Sequence, residues 1–334
     1  TVAHYIGRDV PNNYYVRGYV SDFHFVDNAQ LTPTSFAEEY NGVWTPKTYS
    51  GSHGTAGVAS RLTFSDSSNL GDDTSGNAFD WTHTNGLASD SVADSPTNNF
   101  ATLSELRQYY DWVAQGQLVT LTNGGLKGTT PGAGAAIDST FGVQTGKWYW
   151  EIRHDSGNFY HGPALGRSGK TGQLAKYRLG ANGTIIGFAS ENHGNDNSGT
   201  TLGSGLFTNA LGDVHGVALD LDNLTLKWYV NGTLVHTETN IYDPKDDNDF
   251  YTAAYLTAAA GSATLNFGQD PTFGGQETAP GTDKTDANGR GKFLYDVPSG
   301  HLALCAANIA ESAIDTTLDD RPEDYFNTIL YTGD

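Results

Sequence analysis

The sequence predicts an all-β fold, a two-sheet antiparallel sandwich (concanavalin-like jelly roll) with short flanking helices and spacer segments. Three observations carry that expectation. Apolar segments are short and alternate with polar residues, they are bounded by Gly, Asn, Asp or Ser, and helical periodicity is scarce across the 334 residues. Composition agrees, because 41 glycines are about 12% of the chain where soluble proteins average roughly 7%. Many tight turns follow.

In chain order, Leu103 to Trp112 is the first segment with helical spacing and is expected to be a short helix; Ile309 to Ile314 is the second. Gly146 to His154 alternates Trp148, Trp150 and Ile152 against Lys147, Tyr149, Glu151 and Arg153, the pattern of a sandwich strand. The stretch ending at Thr237 reads GVALDLD, LTLKWYV and TLVHT, with Asp222-Asn223 and Asn231-Gly232 between them, so two tight hairpins are expected. Residues flanking a two-residue turn face the same side. Pairing Leu221 with Leu224 therefore puts Val217, Leu219, Leu226, Trp228 and Val230 on one buried face. Pairing Val230 with Thr233 brings Val235 opposite Trp228, and leaves Asp220, Lys227, Tyr229 and His236 on a wetter face.

Charge and rare residues exclude several functions. With 18 Lys plus Arg against 38 Asp plus Glu, the net charge is −20, the wrong sign for binding nucleic acid. Most acids fall in turns and read as a solvated rim. A single cysteine excludes a disulfide framework and a multi-thiolate metal site; Cys305, inside HLALCAANI, reads as a small buried hydrophobe. No window approaches 18 consecutive apolar residues, so no membrane insertion is expected. The absence of methionine suggests a piece of a longer chain.

Catalytic patterns fail on inspection. Glu151 is the one tempting strand glutamate, but the residue two further on is Arg153, not the second carboxylate a retaining glycosidase needs. Asp220 and Asp222 are two apart, yet Asp222 lies at a turn that favours Asp. Neither a Gly-x-Ser-x-Gly elbow nor a His-Glu-x-x-His helix occurs. ALGRSGKT (164–171) fits a loose phosphate-binding loop, but glycines and an Asn-Gly turn follow it instead of a helix. No cofactor is expected. Calcium at Asp196, Asp246, Asp247 and Asp249 is the one open option against plain turn aspartates, and near Asp286 an EF-hand-like spacing is spoiled by Lys284. His154, His161, His193 and His236 lack ligand spacing and read as surface or rim residues, and the sequons at Asn182, Asn223 and Asn231 are explained by turns.

GKWYWEIRH from Gly146, GDVHGVALDLDNLTLKWYVNGTLV from Gly212 and SATLNFGQDPTF from Ser262 together resemble a SPRY domain, in order as well as in spacing. YYVRGYVSDFHFVDNAQLTPTSF from Tyr14 resembles the closing strands of a laminin-G-like module. DTSGNAFDWTHTN, SPTNNFATL and DYFNTILYTGD resemble spacers of marine bacteriophage virion proteins. The resemblance implies the end of a laminin-G-like module at 1–40, a spacer at 41–112, the sandwich at 113–310 and a second spacer at 311–334. It also implies a virion-surface, extracellular appendage protein, not an enzyme, that contacts other virion chains as an oligomer, commonly a trimer in fibres, and binds a host surface glycan or receptor. SPRY-like binding through loops directs attention to polar, aromatic-bearing segments from Asp155 to Gly162, Glu191 to Gly203, Tyr242 to Tyr251 and Gly268 to Lys292. Tyr160, His161, His193, Asn195, Asp196, Tyr242 and Asp247 are the expected ligand contacts, aromatic faces for sugar rings and polar groups for hydroxyls. A purely structural module and a polysaccharide depolymerase are the competing readings.

Overall fold

A computed structural model of the chain describes residues 4–9, 14–15, 20–40, 43–55, 57–66, 68–84, 91, 94, 98–110, 118–132, 135–166, 177–180, 183–187, 200–247 and 249–309. Its first part is built from short local pairings. β1 (Arg8–Asp9) pairs with β2 (Tyr14–Tyr15), β3 (Phe23–Phe25) pairs with β6 (Ser60–Leu62) further on, and β4 (Ala37–Tyr40) pairs with β5 (Val43–Pro46). Strands this short satisfy few of their own amides, and side chains supply the rest. Asp73 is the main supplier: its carboxylate accepts the backbone N–H groups of Arg61 (2.9 Å), Ser75 (2.9 Å) and Phe79 (3.0 Å).

The sandwich follows, with β7 (Leu103–Tyr110), β8 (Thr120–Thr122), β9 (Lys127–Thr130), β10 (Ala135–Ser139), β11 (Lys147–Gly166), β12 (Tyr177–Gly180) and β13 (Ile185–Gly187). It continues with β14 (Thr200–Gly203), β15 (Val214–Asp220), β16 (Thr225–Val230), β17 (Thr233–Thr239), β18 (Phe250–Asn266) and β19 (Leu302–Ala303). The two longest strands, β11 and β18, are antiparallel partners from Glu151 opposite Asn266 to Gly166 opposite Phe250. Their halves have different outer neighbours. The Lys147 half of β11 and the Asn266 half of β18 lie in the order β17, β16, β15, β11, β18, β9, β8; the other halves lie in the order β14, β13, β12, β11, β18, β10, β7. Two sheets thus share one strand pair. Apart from the short parallel pairing of β19 on β11, all these pairings are antiparallel. The fold is all-β, as the alternation predicts.

The pair shifts register twice, between His154 and Ser156 and between Gly157 and Phe159. Such bulges bend strands and increase their twist. Two glycines permit the close approach there: a Cβ on Gly157, which has φ of +72°, would lie 2.0 Å from the Ala260 carbonyl oxygen, and one on Gly261 would lie 2.6 Å from that of Ser156. Inside the bend, Trp148, Trp150, Ile152, Val217, Leu219 and Trp228 from one sheet share a single core with Phe159, Leu165, Leu179 and Ile185 from the other.

Several expectations change. Leu103 to Trp112 is not a helix: Leu103–Tyr110 is a strand whose Ala135, Ala136 and Ile137 partners satisfy its ladder. An isolated helix of that length is marginal in water, so pairing wins, and Leu106 is left 97% exposed. Of Ile309 to Ile314 only Ile309 is described, after a 3-10 turn at Ala306–Asn308. The Asp222-Asn223 hairpin has the expected register. In the next one Val230 meets Thr233 and Tyr229 meets Leu234, but a bulge then sets His236, not Val235, opposite Trp228.

The wetter face is also corrected. Every residue of β15 is buried, because the chain after β18 folds back over the outer side, where Phe293, Ala303 and Cys305 pack with Phe100, Tyr149 and Ala218. The covering residues lie in the chain from Phe293 to Cys305; of the expected loop from Gly268 to Lys292, Gly268 to Phe273 and Asp286 are buried and most of the rest is exposed. Buried carboxylates knit it in place. Asp270 accepts the amides of Thr272 (2.8 Å) and Gly274 (2.6 Å), and Asp286 accepts those of Asn288 (2.9 Å), Arg290 (2.7 Å) and Ala303 (2.9 Å). The acids are thus not all on a solvated rim: Asp138, Glu151, Asp220, Asp249, Asp270 and Asp286 are buried.

The bend makes a direct prediction. Gly157→Ala, strained in φ and colliding with the opposite carbonyl, lowers stability by about 2–4 kcal/mol in urea unfolding. A variant as stable as the parent would show that the corner tolerates a side chain.

Candidate binding site

Side-chain alternation across the bend sorts the second half of β11 into two sets. Phe159 and His161 face the core, and Tyr160 faces out. Opposite residues share a face, so Tyr160 lies with Gly180, and Arg178, two residues from Gly180, lies beside it. Arg178 is opposite Ile186, and Ile186 is opposite Thr201. Tyr160, Arg178, Ile186 and Thr201 thus form a strip across β11, β12, β13 and β14. The Arg178 guanidinium carbon sits 4.5 Å from the Tyr160 ring centroid, a cation–π contact that orders both groups. Tyr160, Arg178 and Ile186 are half-buried and Thr201 is exposed. The strip offers one aromatic ring, one cation and a hydroxyl on a rigid sheet.

Of the expected ligand contacts, Tyr160 belongs to this strip, though on a strand and not in a loop. His161 does not. It is fully buried in the core, where its Nε2 is 2.6 Å from Nδ1 of His215 on the other sheet. Tyr242 is half-buried and works as a clasp: its N–H donates to the Tyr177 hydroxyl (3.0 Å), its own hydroxyl donates to Asp249 (3.3 Å), and its carbonyl accepts from the Tyr251 hydroxyl (3.1 Å). Asp247 ends the 3-10 turn Pro244–Asp247. His193, Asn195 and Asp196 lie outside the described residues. The structure therefore does not gather Tyr160, His161 and Tyr242 into one site. Arg178 is the partner that sequence reading missed. Its signal was the alternation of YRLG, legible only once β12 is known to pair with β11.

Of the histidines expected at the rim, His154 and His161 are buried in the core, His236 is half-buried, and His193 lies outside the described residues. The carbonyl of Gly157 can only accept, so His154 donates from Nε2 (2.8 Å) and its Nδ1 accepts from the Asn209 amide. Asn209 Oδ1 then accepts from His215 Nε2 (3.0 Å), and His215 Nδ1 accepts from His161 Nε2. One carbonyl thus fixes which ring nitrogen donates at His154, His215 and His161 in sequence. His161 Nδ1, at the end, has no partner among the described residues. Burial and the neighbouring histidines push His161 well below the ordinary imidazole range, and burial, with His154 adding to it, pushes His215 down to about 4.

Glu151 is likewise structural. It is fully buried and accepts the amides of Leu294 (3.0 Å) and Tyr295 (2.9 Å), the Asn266 side chain (3.2 Å) and the Tyr149 hydroxyl (3.2 Å). Burial raises its carboxyl to about 7. A group so enclosed has no route to a polysaccharide. Asp220 is engaged with the amides of Asp222 and Asn223 and with Lys147. Asp155 bridges Arg153 (2.6 Å), Lys127 (3.0 Å) and Thr264 (2.6 Å). Ala164, Leu165 and Gly166 of the phosphate-loop-like stretch end β11 in the core, and 167–171 lie outside the described residues. Asp249 is buried rather than solvated, and Asp286 is occupied by backbone amides. No group of three or more His, Cys, Asp or Glu among the described residues could hold a metal. Among them, too, no helix is long and apolar enough to cross a membrane.

No family model matches the chain, and no curated protein matches it. Solved structures do. The SPRY domain of human HERC1 matches with 14% identity over 49% of this chain and 96% of its own, at a TM-score of 0.31. The PSpry domain of TRIM65 matches with 14% identity over 50% and 92%, at 0.34. Stonustoxin matches with 18% identity over 50% of this chain and 27% of its own, at 0.31. The antiparallel sandwich rests on the strand pairing described above.

The buried histidines make stability pH-dependent. The unfolded chain takes up an imidazole proton near pH 6.5 and folded His215 only near 4, so the unfolded state binds more protons in between. Stability due to His215 is complete above pH 6.5 and falls by on the order of 3 kcal/mol as pH drops to 4. Glu151 opposes this, since its raised value stabilises the fold as pH falls from 7 to 4.5. Unfolding curves of the parent and of His215→Leu over this range isolate the histidine part, with a shallower acid loss expected in the variant. Parallel curves would remove His215 from the account.

Proposed function

We propose that this chain is part of a phage virion appendage, a tail fibre, spike or head fibre, whose SPRY-like sandwich binds host surface carbohydrate or protein without catalysing a reaction. The observation that carries this reading is the Tyr160–Arg178 strip. It presents an aromatic face and a guanidinium that are held against each other, whereas Glu151, Asp220 and Asp286 are consumed by structural hydrogen bonds. An aromatic ring beside a cation suits a pyranose face with its hydroxyls or an acidic peptide. The motifs from Gly146, Gly212 and Ser262 and the phage-type spacers support the virion assignment. A second reading, contact with other virion chains, draws on β7. That strand is an edge among the described strands, and Leu106 on it and Leu118 near it are 97% and 53% exposed.

Host-cell adsorption and glycan arrays with the chain test the first reading. Tyr160→Ala combined with Arg178→Ala is expected to weaken retention about tenfold or more, the loss of a desolvated cation–π pair. Retention unchanged in that variant, or no retention by the parent, would reject it. Release of reducing ends or unsaturated sugars from host polysaccharide would instead favour a depolymerase.

A further inference from the structure

The series Gly157–His154–Asn209–His215–His161 crosses the core from the bend in β11 to β15 and back to β11 beyond the bend. All three histidines in it are buried. Each neighbouring pair needs one donor and one acceptor, and each neutral imidazole supplies one of each. Donation therefore runs in a single direction, from His161 through His215 and Asn209 to His154 and the Gly157 carbonyl. The same atoms also fit the opposite direction. If His154 takes a proton on Nδ1, the Asn209 amide turned over accepts it through Oδ1 and donates from Nδ2 to His215 Nε2. His215 then donates from Nδ1 to His161 Nε2, and His161 carries its own N–H on Nδ1. Ring N–H groups rise from three to four, a net gain of one proton, and every pair is again donor with acceptor. The charge rests on His154, both of whose N–H groups now meet oxygens.

A second proton has no such solution. The accepting ring nitrogens that remain are His215 Nε2, which faces the Asn209 amide, and His161 Nε2, which faces His215 Nδ1–H across the 2.6 Å contact between the sheets. Either choice sets N–H against N–H in the core, where an unmade hydrogen bond and a repelling donor are costly. The groups around the series are placed on every side. Phe159 of β11 and Phe207 of the segment before β15 put rings against His215 (6.4 and 5.3 Å between centroids), and Tyr255 of β18 gives its hydroxyl to the Gly261 carbonyl (3.3 Å). Asp213, just before β15, accepts from the Ala210 N–H (2.6 Å) and the Asn231 amide (2.8 Å), and its charge favours a cation at His215. Arg153 and Asp155, on either side of His154, are paired with each other (2.6 Å), and Lys127 of β9 is paired with Asp155 (3.0 Å).

We infer that this series is a two-step proton latch between the sheets: one proton reverses it without opening it, and a second opens it and releases the segment 204–211 that carries Asn209. That segment joins β14 of one sheet to β15 of the other, so its release uncouples the sheets beside the bend while their strand ladders stay paired. The acid loss of global stability assigned to His215 requires neither the reversal nor a local opening. The latch is also independent of any ligand of the Tyr160–Arg178 strip.

Two measurements on the full chain, taken from about pH 7 to 4, test it. Ring-nitrogen NMR distinguishes donating from accepting imidazole nitrogens, and the N–H of His215 is expected to move from Nε2 to Nδ1 as the first proton is taken up. Amide hydrogen exchange, corrected for the intrinsic effect of pH, should then show protection in 204–211 falling by more than about tenfold per pH unit, the mark of more than one proton. Amides of β16 should keep their protection over the same range. Asn209→Asp replaces the amide with a near-isosteric carboxylate that accepts from both sides, so His215 should keep its N–H on Nε2 throughout. His215 retaining Nε2–H in the parent, a fall of tenfold or less per pH unit, or protection lost together in 204–211 and β16 would overturn the inference. So would the same exchange of nitrogens in a folded Asn209→Asp variant, and the parent measurements decide the matter if that variant does not fold.

Discussion

Carboxylates that accept backbone amides hold together the parts of this chain that strand pairing does not reach. Glu151 pins the Leu294–Tyr295 segment against the outside of β11, Asp286 ties a turn to Ala303 and Asn308, and Asp270 closes the loop after β18. Asp73 does the same in the first part of the chain. Hydrogen bonds to charged acceptors contribute roughly 1.5–3 kcal/mol each, and a buried amide stripped of its acceptor costs a similar amount. Burial works against the charged form at Glu151, where it wins. At Asp220 burial is outweighed by Asn223 and Lys147, which hold that carboxyl below its usual range. The abundance of acid in the composition is therefore partly internal architecture and only partly a solvated exterior.

The shared strand pair explains how the sandwich separates its core from its binding surface. Because β11 and β18 serve both sheets, each bulge at the corner changes which residues face inward on the far side. His161 and Phe159 turn in toward His215, and Tyr160 turns out toward Arg178. Neighbours in sequence thus take unrelated roles, one as a link between sheets and one as presented surface.

That corner also marks where the sequence stops being legible. Alternation from Gly146 to His154, the Asp222-Asn223 hairpin and the burial of Cys305 could be read directly, since each depends on local pattern. Leu103–Tyr110 could not, because its spacing fits a short helix and only the distant Ala135–Ser139 strand decides otherwise. The one-residue slip opposite Trp228 left Val235 misplaced because a bulge inside the hairpin breaks the simple alternation. In the Asp155–Gly162 stretch, glycine and polar residues looked like a loop, whereas they form a bend within one continuous strand. Tyr160 was legible as a surface aromatic; Arg178 was not, since its place beside the ring is created by pairing. Asp249 looked solvated because its turn is polar, and nothing local reveals that it is buried.

The single pair that joins both sheets also governs how the fold is reached. Glu151 and Asn266 are 115 positions apart in the sequence, so closing that contact alone costs on the order of 4 kcal/mol of chain entropy before neighbouring strands can reward it. Neither sheet can be completed first, because each lacks its centre until β11 and β18 have met. Assembly is accordingly a non-local, all-or-none event of the kind that takes milliseconds to seconds in sandwich proteins. Until it occurs, the emerging β15–β16–β17 meander has an unpaired edge that a second chain could occupy.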